Sequence, residues 1–386
     1  MITKKQHFMK NVLCVFFVAM MIADSGCQNS GTASFRSGDT WPDSDGNHIN
    51  AHGGGIIVYK GKYYWFGEAR LPRGETVRTN YGVGCYSSED LAIWKNEGLV
   101  LRVSNDTSSL LQAGCIIERP KVIYNKKTGK FVMWFHHELK GQGYRAALTG
   151  VAVSDKITGP YNYIRSLRPN AGVWPLNYSD DKKKINISES DLKRNSDEWR
   201  QALRDGIYLR RDFEGGQMAR DMTLLVDDDG KAYHIHSSEE NVTLHFSELT
   251  DDYLGFTGRY IRVLPGESNE APAIFKSAGK YYMFSSGTTG WRPNPARLSV
   301  ADNLMGEWNT VGNPCSGSEE QVRTTFSAQS TFVLPLKGKR NTFIFMADRW
   351  TPENLADSRY VWLPVEWEDG KPVLRWHEEW SIDLLK

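Results

Sequence analysis

The stretch "GGGIIVYKGKYYWFGE" (53–68) decides the fold. An apolar strand leads into a turn at Lys60 and Gly61, and a second strand rich in aromatic residues follows. Two alternating strands joined by a glycine-containing turn are typical of a β-hairpin. The same pattern recurs four more times, within residues 119–138, 220–239, 270–291 and 329–350. The sequence therefore predicts five related hairpins.

A second pair of strands with a polar turn follows each hairpin, as in "GCYSSEDLAIWKNEG" (84–98) and "LHFSELTDDYLGFTG" (244–258). Four strands per unit and five units predict an all-β fold, a five-bladed β-propeller that spans residues 41–386. A two-sheet sandwich is the alternative, but it would not require the hairpin and the trailing pair to alternate five times.

The widest gap between units lies between the second and third, at residues 166–206. Asn195 and Glu198 have the spacing of a capping box, and Gly206 offers a stop, so we predict an inserted loop with one short helix. Trp199, Ala202 and Leu203 would lie together on one apolar face of this helix. The insert either walls one side of a cleft or decorates the surface.

The N-terminus has the order of a secretory signal: basic residues precede the apolar run "NVLCVFFVAMMIA" (11–23), which is short for a membrane span. We predict a signal peptide over 1–26 and a flexible tether over 27–40. Gly26-Cys27 resembles a lipoprotein cleavage site, although Asp24 stands where leucine is usual, so lipidation of Cys27 stays open. We expect export, to the periplasm or the outer membrane of a Gram-negative bacterium.

The composition argues against a nucleic-acid partner, a disulfide framework and a zinc site. Lys plus Arg number 47 and Asp plus Glu 46, so nothing in the charge balance indicates nucleic-acid binding. The cysteines left in the predicted domain (Cys85, Cys115 and Cys315) are too few for a disulfide framework and form no zinc motif. We predict no metal ion and no cofactor, and we expect a monomer.

The residues that open the hairpins are the candidates for chemistry. In a propeller the first strand of each blade lines the central axis, so side chains at its start converge on one mouth. The openers are His52, Glu118, Asp221, Glu270 and Gln329. A single carboxylate at such a place could merely cap a turn or pair with a neighbouring arginine. Three at matching positions indicate a site, and paired carboxylates are what glycoside cleavage requires.

Each carboxylate has a distinct setting. Glu270 precedes Ala271 and Pro272, and an apolar setting would raise its pKa and keep it protonated as a general acid. Glu118 is followed by Arg119, so we expect it to be ionised, to raise the pKa of the acid through space and to orient it. Asp221 is suited to binding sugar hydroxyls.

Several motifs together resemble glycoside hydrolase family 43, and in particular its exo-β-1,3-galactanase branch. They are "DSDGNHINAHGGGIIVYKGKYYWFGE" (43–68), "ERPKVIYN" (118–125), "RDMTLLVDDDG" (220–230), "NEAPAIF" (269–275) and "SAQSTFVLP" (327–335). The resemblance runs from Trp41 to the C-terminus. It implies a five-bladed propeller, an inverting mechanism, release of galactose from β-1,3-galactan, the general acid at Glu270 and a supporting carboxylate at Glu118.

The resemblance also exposes a departure. The typical member of the family carries its base as an aspartate at the head of blade one, where this chain has "NAH" (50–52). The galactanase branch shares that departure, and there a glutamine that matches Gln329 holds the water. An amide is a poor base, but its carbonyl can accept a hydrogen bond and position a water. The proton would leave through an imidic-acid tautomer or through Glu68.

The remaining candidates for sugar binding rest on the resemblance or on position. The resemblance puts Glu68 in the sugar pocket and, by approximate alignment, Tyr144 and Thr288 near it. Trp291 and Trp350 end their hairpins at corresponding places, where they would stack on sugar or pack in the core. His52 is a base, a ligand of the central channel or a structural histidine. The alternative functions are an α-L-arabinofuranosidase on the same scaffold and a sugar-binding propeller without activity.

Overall fold

The computed structural model describes residues 34–71 and 80–385. Five antiparallel sheets surround one axis, and the innermost strand of each sheet contacts the innermost strands of its two neighbours in a closed ring. The predicted five-bladed β-propeller is therefore confirmed. The predicted signal peptide and Cys27 lie outside the described residues. Within those residues no helix is long and apolar enough to cross a membrane.

Each blade has four antiparallel strands. Blade one consists of β2 (His52–Tyr59), β3 (Lys62–Arg70), β4 (Asn80–Ser88) and β5 (Lys95–Arg102). Blade two consists of β6 (Ile116–Asn125), β7 (Lys130–Glu138), β8 (Leu148–Ser154) and β9 (Asn162–Leu167). Blade three consists of β10 (Met222–Val226), β11 (Ala232–Ser238), β12 (Thr243–Leu249) and β13 (Phe256–Val263). Blade four consists of β14 (Glu270–Ser277), β15 (Lys280–Ser286), β16 (Arg297–Ala301) and β17 (Asn309–Gly312). Blade five consists of β19 (Gln329–Pro335), β20 (Phe343–Arg349), β21 (Arg359–Glu368) and β22 (Lys371–Arg375).

Shorter elements complete the chain. A short strand, β18 (Cys315–Ser316), runs parallel to β22, and β1 (Ser34–Arg36) pairs with β23 (Glu379–Ser381). The α-helices are α1 (Asp180–Lys183), α2 (Asp197–Arg204), α3 (Ile207–Arg211) and α4 (Glu319–Thr324). Single 3₁₀ turns span Glu189–Asp191, Glu239–Asn241, Leu355–Asp357 and Ile382–Leu385.

The hydrophobic core lies between the blades. Each main cluster joins the facing sides of two neighbours, as where Trp65 of blade one meets Trp362 of blade five and where Phe66 of blade one meets Phe135 of blade two. Fully burying such a side chain stabilises the fold by about 1.5–3 kcal/mol. The blades therefore hold one another in place, and the polar mouth at the axis is built on a rigid ring.

The predicted tether ends earlier than expected. Residues 34–36 form β1, and Phe35 packs on Trp380 with ring centroids 4.5 Å apart and only 2% of its surface exposed. The boundary at residue 40 was therefore wrong. A single phenylalanine in a polar segment does not reveal itself in the sequence, because two of the tryptophans that bury it, Trp362 and Trp380, belong to the other end of the chain.

Four of the inner strands share one irregularity at their start. The ladder slips between His52 and Gly55, and likewise at the starts of β6, β14 and β19. The residue after the opener is left-handed in three blades: φ is 59° at Gly53, 55° at Arg119 and 53° at Ala271. Such β-bulges bend a strand and redirect its side chains, and they are common next to active sites.

The glycines after His52 permit a close approach of two strands. A Cβ atom on Gly53 would lie 2.3 Å from Glu68 Oε1, and one on Gly54 would lie 2.0 Å from the Phe66 carbonyl oxygen. No larger residue fits either place. The glycines therefore let the first strand of blade one, β2, pack closely against the second strand, β3, near the axis.

The insert between blades two and three contains three short helices rather than one. The predicted helix is α2, but its N-cap is Ser196, whose Oγ accepts the Trp199 N–H at 3.1 Å, and Asn195 precedes it in a left-handed conformation. The N-cap predicted at Asn195 was therefore misplaced by one residue, and the predicted capping box with Glu198 is not formed. Trp199 and Ala202 are buried as predicted. Cys85, Cys115 and Cys315 are free thiols, buried in the part of the chain that the structure describes.

Candidate active site

A cavity of about 320 Å³ lies at the mouth of the ring, and all five blades contribute to it. Its lining consists of Glu68, Arg70, Glu118, Arg119, His136, Tyr144, Arg220, Asp221, Asn241, Glu270, Gly290, Trp291, Gln329 and Trp350. A volume near 300 Å³ is at the small end of ligand-binding pockets. The cavity gathers every predicted site residue except His52 and Thr288.

His52 and Thr288 lie elsewhere. His52 is fully buried and stacks on Tyr360, with ring centroids 5.1 Å apart at 17°. Burial lowers the pKa of His52 to about 3, so the ring is neutral. Thr288 is exposed on the loop between β15 and β16, whose other residues Gly290 and Trp291 reach the cavity. Of these two sugar-binding candidates, His52 is therefore buried in the core, and Thr288 does not line the cavity.

Glu270, the predicted general acid, opens blade four. Burial and the negative charge of Asp221 together raise the pKa of Glu270 to about 8. Asn241 Nδ2 donates a hydrogen bond of 2.7 Å to Glu270 Oε1 and fixes the carboxyl group. The expectation that Glu118 supplies the raising charge is corrected, since the carboxylate responsible is Asp221. Asp221 Oδ2 in turn accepts the Ala271 N–H at 3.0 Å, which ties it to the same strand as the acid.

Asn241 is presented by a strained turn. Three consecutive residues from 239 to 241 are left-handed, with φ of 51°, 58° and 65°. Non-glycine residues rarely adopt this conformation, and surrounding contacts must hold them there. Glu239 pairs with Arg262 Nε at 2.7 Å, and Glu240 pairs with Arg211 at 3.0 Å and with Arg220 at 3.2 Å.

The insert braces that turn from behind. Arg211 belongs to α3, and the backbone carbonyls of Leu203 and Arg204 in α2 accept hydrogen bonds from Arg262. Among the described residues, none of 166–217 lines the cavity. The insert is thus neither a wall of the cleft nor decoration. It supports the residue that holds the general-acid candidate.

Glu118 is an ionised carboxylate at the centre of a hydrogen-bond network. Burial alone would raise the pKa of Glu118, but the hydrogen bond and charge of His136, with the charge of Arg70, hold it well below its usual range. His136 Nδ1 lies 3.1 Å from one oxygen, and the Tyr144 hydroxyl donates to the other at 2.7 Å. His136 Nε2 also contacts Glu138 at 3.0 Å, and the two carboxylates outweigh burial and raise the pKa of His136 to about 9.

This network bears on metal binding. Glu118, His136 and Asp221 are the one group of potential ligands within 4.8 Å of one another in the part of the chain described. Both ring nitrogens of His136 are engaged by carboxylates, and the ring is protonated near neutrality. A protonated imidazole has no free lone pair, so in this hydrogen-bonded state His136 is a partner of Glu118 and Glu138 rather than a metal ligand.

Arg119 connects four blades at the axis. Its Nη1 donates to the Ser330 carbonyl at 2.9 Å, and its Nη2 donates to Asp221 Oδ2 at 3.0 Å and to Gln329 Oε1 at 2.6 Å. Its backbone N–H donates to Glu68 Oε1 at 2.8 Å. Glu68 is almost fully buried and also pairs with Arg70, and burial raises its pKa. Glu68 therefore holds Arg119 in place and is not free to turn toward a water.

Gln329 is oriented by its neighbours. Arg119 Nη2 and Trp350 Nε1 both donate to its Oε1, the latter at 3.0 Å, and its Nε2 donates to Ser286 Oγ at 3.0 Å. Arginine and tryptophan can only donate, so the carbonyl oxygen must face them. Both usual acceptor positions of that oxygen are filled. The contact between the carbonyl and a water therefore stays a prediction, and in this structure Arg119 and Trp350 are the groups that hold the carbonyl.

The two tryptophans form one wall. The rings of Trp291 and Trp350 lie edge to face with centroids 5.2 Å apart, and the Arg119 guanidinium sits 5.5 Å from the Trp350 ring. Both line the cavity and are only partly buried, so each offers ring surface to a ligand.

Sequence reasoning missed several residues that shape the site: Arg70, His136, Asn241 and the role of Arg119. His136 stands in "WFHHE" (134–138), where charged residues end an otherwise apolar second strand. That polar ending was a usable signal, and it recurs in "FGEAR" (66–70). Asn241 had no signal, because its position depends on a turn held by contacts remote in sequence.

The chain is similar to several known proteins. The family model for glycosyl hydrolases family 43 matches residues 166–372. A solved family 43 β-1,3-galactosidase bound to galactodeoxynojirimycin is 54% identical, with a TM-score of 0.87, over 90% of this chain and 100% of that chain. A comparison with curated proteins gave no significant match.

Two exo-β-1,3-galactanases are also similar. The enzyme from Clostridium thermocellum is 33% identical with a TM-score of 0.72, over 90% of this chain and 66% of that chain. The enzyme from Phanerochaete chrysosporium, solved with β-1,3-galactotriose, is 30% identical with a TM-score of 0.72, over 90% of this chain and 68% of that chain. This chain therefore spans about two thirds of each galactanase.

Proposed function

Because the chain belongs to glycosyl hydrolases family 43, we propose that this glycosidase is an exo-acting, inverting enzyme that releases galactose from the non-reducing end of β-1,3-galactan. The main observation behind the proposal is that Glu270 and Gln329 line the same small cavity. A carboxyl group with a pKa of about 8 and an amide clamped by Arg119 and Trp350 line the same pocket.

In the proposed reaction, Glu270 donates its proton to the oxygen of the bond that breaks. Water beside Gln329 attacks the anomeric carbon, and the configuration at that carbon inverts. The raised pKa keeps Glu270 protonated at neutral pH, which the donor role requires. Arg119 and Trp350 fix the amide before substrate arrives, so little reorganisation is needed at the moment of reaction.

The other lining residues suit a sugar. Glu118 and Asp221 are acceptors for hydroxyl groups, and Tyr144 is a donor and acceptor beside Glu118. Trp291 and Trp350 supply the aromatic surface on which a pyranose ring can rest. The similarity to enzymes named β-1,3-galactosidase and exo-β-1,3-galactanase supports galactose as the sugar.

The test is an assay of the purified mature chain on β-1,3-galactotriose and on an aryl α-L-arabinofuranoside. We expect galactose and galactobiose from the first, with α-galactose as the initial product by NMR, and no release from the second. Release of arabinose only would replace the proposal with the arabinofuranosidase alternative. Binding of galactan with no release of sugar would identify a sugar-binding propeller. An initial β-anomer would refute inversion.

We further propose that the protein is exported and acts outside the cytoplasm. The basic start and the apolar run at 11–23, followed by Gly26-Cys27, support this proposal. Cell fractionation of the full chain, with the Cys27→Ser variant as the matched control, tests it. Lipidation predicts a membrane-bound wild type and a released variant, whereas simple cleavage predicts that both are soluble in the periplasm.

A further inference from the structure

A buried lysine, Lys121, lies close to the candidate site and has no role in the proposed reaction. It belongs to β6, two residues after Arg119, and only 2% of its surface is exposed. A buried ammonium group is costly unless it has partners, so its place near the axis needs a reason. We propose that Lys121 is a positioning residue, which holds the backbone of Arg119 and through it fixes Gln329 for reaction. This inference rests on the proposed function.

The ammonium group of Lys121 joins two blades through their backbone carbonyls. Nζ donates to the Gly53 carbonyl of blade one at 2.8 Å and to the Arg119 carbonyl of its own blade at 3.3 Å. Gly53 and Arg119 are the left-handed residues of two neighbouring bulges. The extra residue of a bulge is left out of the strand ladder, so its carbonyl needs a partner from elsewhere. Lys121 is such a partner for both bulges.

The Arg119 backbone is held on both sides as a result. Its N–H donates to Glu68 Oε1 at 2.8 Å, and its carbonyl accepts from Lys121 Nζ. A left-handed conformation is unfavourable for a residue with a side chain, and surrounding contacts must maintain it. The Arg119 guanidinium in turn donates to Gln329 Oε1 at 2.6 Å. A shift of the Arg119 backbone would therefore move the donor that orients the amide.

The third glycine of blade one, Gly55, makes room for the lysine. A Cβ atom on Gly55 would lie 2.6 Å from Lys121 Cδ and 3.2 Å from Lys121 Cε. Both residues line a second cavity, of about 640 Å³, to which the inner strands of all five blades contribute. Glycine at position 55 therefore leaves open the path that the lysine side chain follows to the two carbonyls.

The charges around Lys121 are compatible with this role. Burial and the charge of Arg119 lower the pKa of Lys121 to about 7. The carboxylates that oppose this shift are Glu68, Asp221 and Asp348. A lysine amine keeps two N–H donors after it loses a proton, and two carbonyls are its acceptors here. The positioning role is therefore expected on both sides of pH 7.

The experiment measures kcat and KM for β-1,3-galactobiose in wild type and in Lys121→Met. Methionine keeps an unbranched side chain in the same place but donates no hydrogen bond. We expect kcat to fall on the order of 10-fold or more, because small misplacements of positioned groups are costly. KM should change by less than about threefold, because the amide acts in the reaction rather than in substrate binding.

A double-mutant cycle with Gln329→Ala separates positioning from a general structural role. If Lys121 acts through Gln329, Lys121→Met should lower kcat by less than about threefold in the Gln329→Ala background, because the group that it positions is already absent. A general structural role would lower kcat by the same factor in both backgrounds.

Gly55→Ala is a second variant, because the added Cβ would displace the Lys121 side chain without removing its ammonium group. It should also lower kcat, and its effect should likewise disappear in the Gln329→Ala background. Lys126→Met is the matched control: Lys126 is exposed, directly follows β6 and lines the same second cavity, so kcat should equal that of wild type. Thermal melting and binding of galactodeoxynojirimycin verify that each variant is folded.

The outcomes separate the two claims. A wild type that releases no galactose defeats the proposed function itself. With an active wild type, the positioning role alone is defeated if Lys121→Met keeps kcat within about threefold, or if its loss is equal in the two backgrounds. Should Lys121→Met fail to fold, Gly55→Ala and its cycle with Gln329→Ala decide the matter.

Discussion

The first and second strands of the blades present two rings of side chains around the axis. The first ring consists of the openers Glu118, Asp221, Glu270 and Gln329, with His52 withdrawn into the core. The second ring lies opposite them in the ladders and consists of Glu68, His136, Ser286 and Asp348. Members of both rings line the cavity, and two members of the second ring hold members of the first: His136 contacts Glu118, and Ser286 accepts a hydrogen bond from Gln329.

Backbone N–H groups at the bulges connect neighbouring blades. The Arg119 N–H donates to Glu68 of the preceding blade, the Ala271 N–H to Asp221, and the Gly53 N–H to Asp348. Each is a hydrogen bond from the backbone of one blade to a carboxyl group of the blade before it. The comparison of the rings indicates that first strands carry the candidates for catalysis, and that second strands carry residues that contact and orient them.

The largest expected effect is the loss of the acid in the first ring. Glu270→Gln keeps the shape of the side chain but cannot deliver a proton, so kcat for β-1,3-galactobiose should fall on the order of 10³–10⁴-fold. Binding of galactodeoxynojirimycin, measured by calorimetry, should persist. The control is Glu307→Gln, an exposed carboxylate of the same blade. A variant with more than a tenth of wild-type kcat would show that another group is the acid.

Removal of the amide should have the next largest effect. Gln329→Ala loses the group beside the attacking water and leaves Arg119 and Trp350 without their acceptor, so kcat should fall on the order of 10²–10³-fold. Steady-state kinetics on galactobiose measures the effect, with Gln142→Ala on an exposed loop as the control. Undiminished turnover would mean that blade five has no part in the chemistry.

The first ring could be predicted from sequence because it repeats. Openers recur at matching places in the hairpins, and a propeller must bring them together whatever the details of packing. His52 shows the limit of this argument. It holds the same place in the repeat, but its ring is buried in the core, where it stacks on Tyr360. Position in a repeat predicts where a residue stands and not which way it turns.

The second ring could not be assigned in the same way. Its members occupy the polar ends of second strands, and those endings do not show which first-strand residue each member lies opposite. The effect of Asp221 on Glu270 depends on a bulge at Ala271, and the position of Asn241 depends on Arg262 and Arg211 from distant segments. Such contacts arise from tertiary structure, and no local spacing indicates them.

The source of the raised pKa of Glu270 gives a third prediction. Asp221→Asn removes the negative charge beside the acid, so the pKa of Glu270 should fall and the alkaline limb of kcat should move to lower pH. We expect kcat at pH 7 to drop on the order of 10-fold. Glu118→Gln is the contrasting variant and should raise KM without moving that limb. A shift with Glu118→Gln but not with Asp221→Asn would return the role to Glu118.

The smallest expected effect concerns a single hydrogen bond to Gln329. Trp350→Phe keeps an aromatic ring in the cavity but removes the Nε1 donor, while Arg119 still holds Oε1 at 2.6 Å. A hydrogen bond contributes about 0.5–1.5 kcal/mol net, which corresponds to a fall in kcat of about 2–10-fold. Trp291→Phe is the matched control, because its ring lines the same cavity without a hydrogen bond to the amide. Equal losses in kcat for both variants would mean that these tryptophans act through ring surface alone, and that Arg119 suffices to orient Gln329.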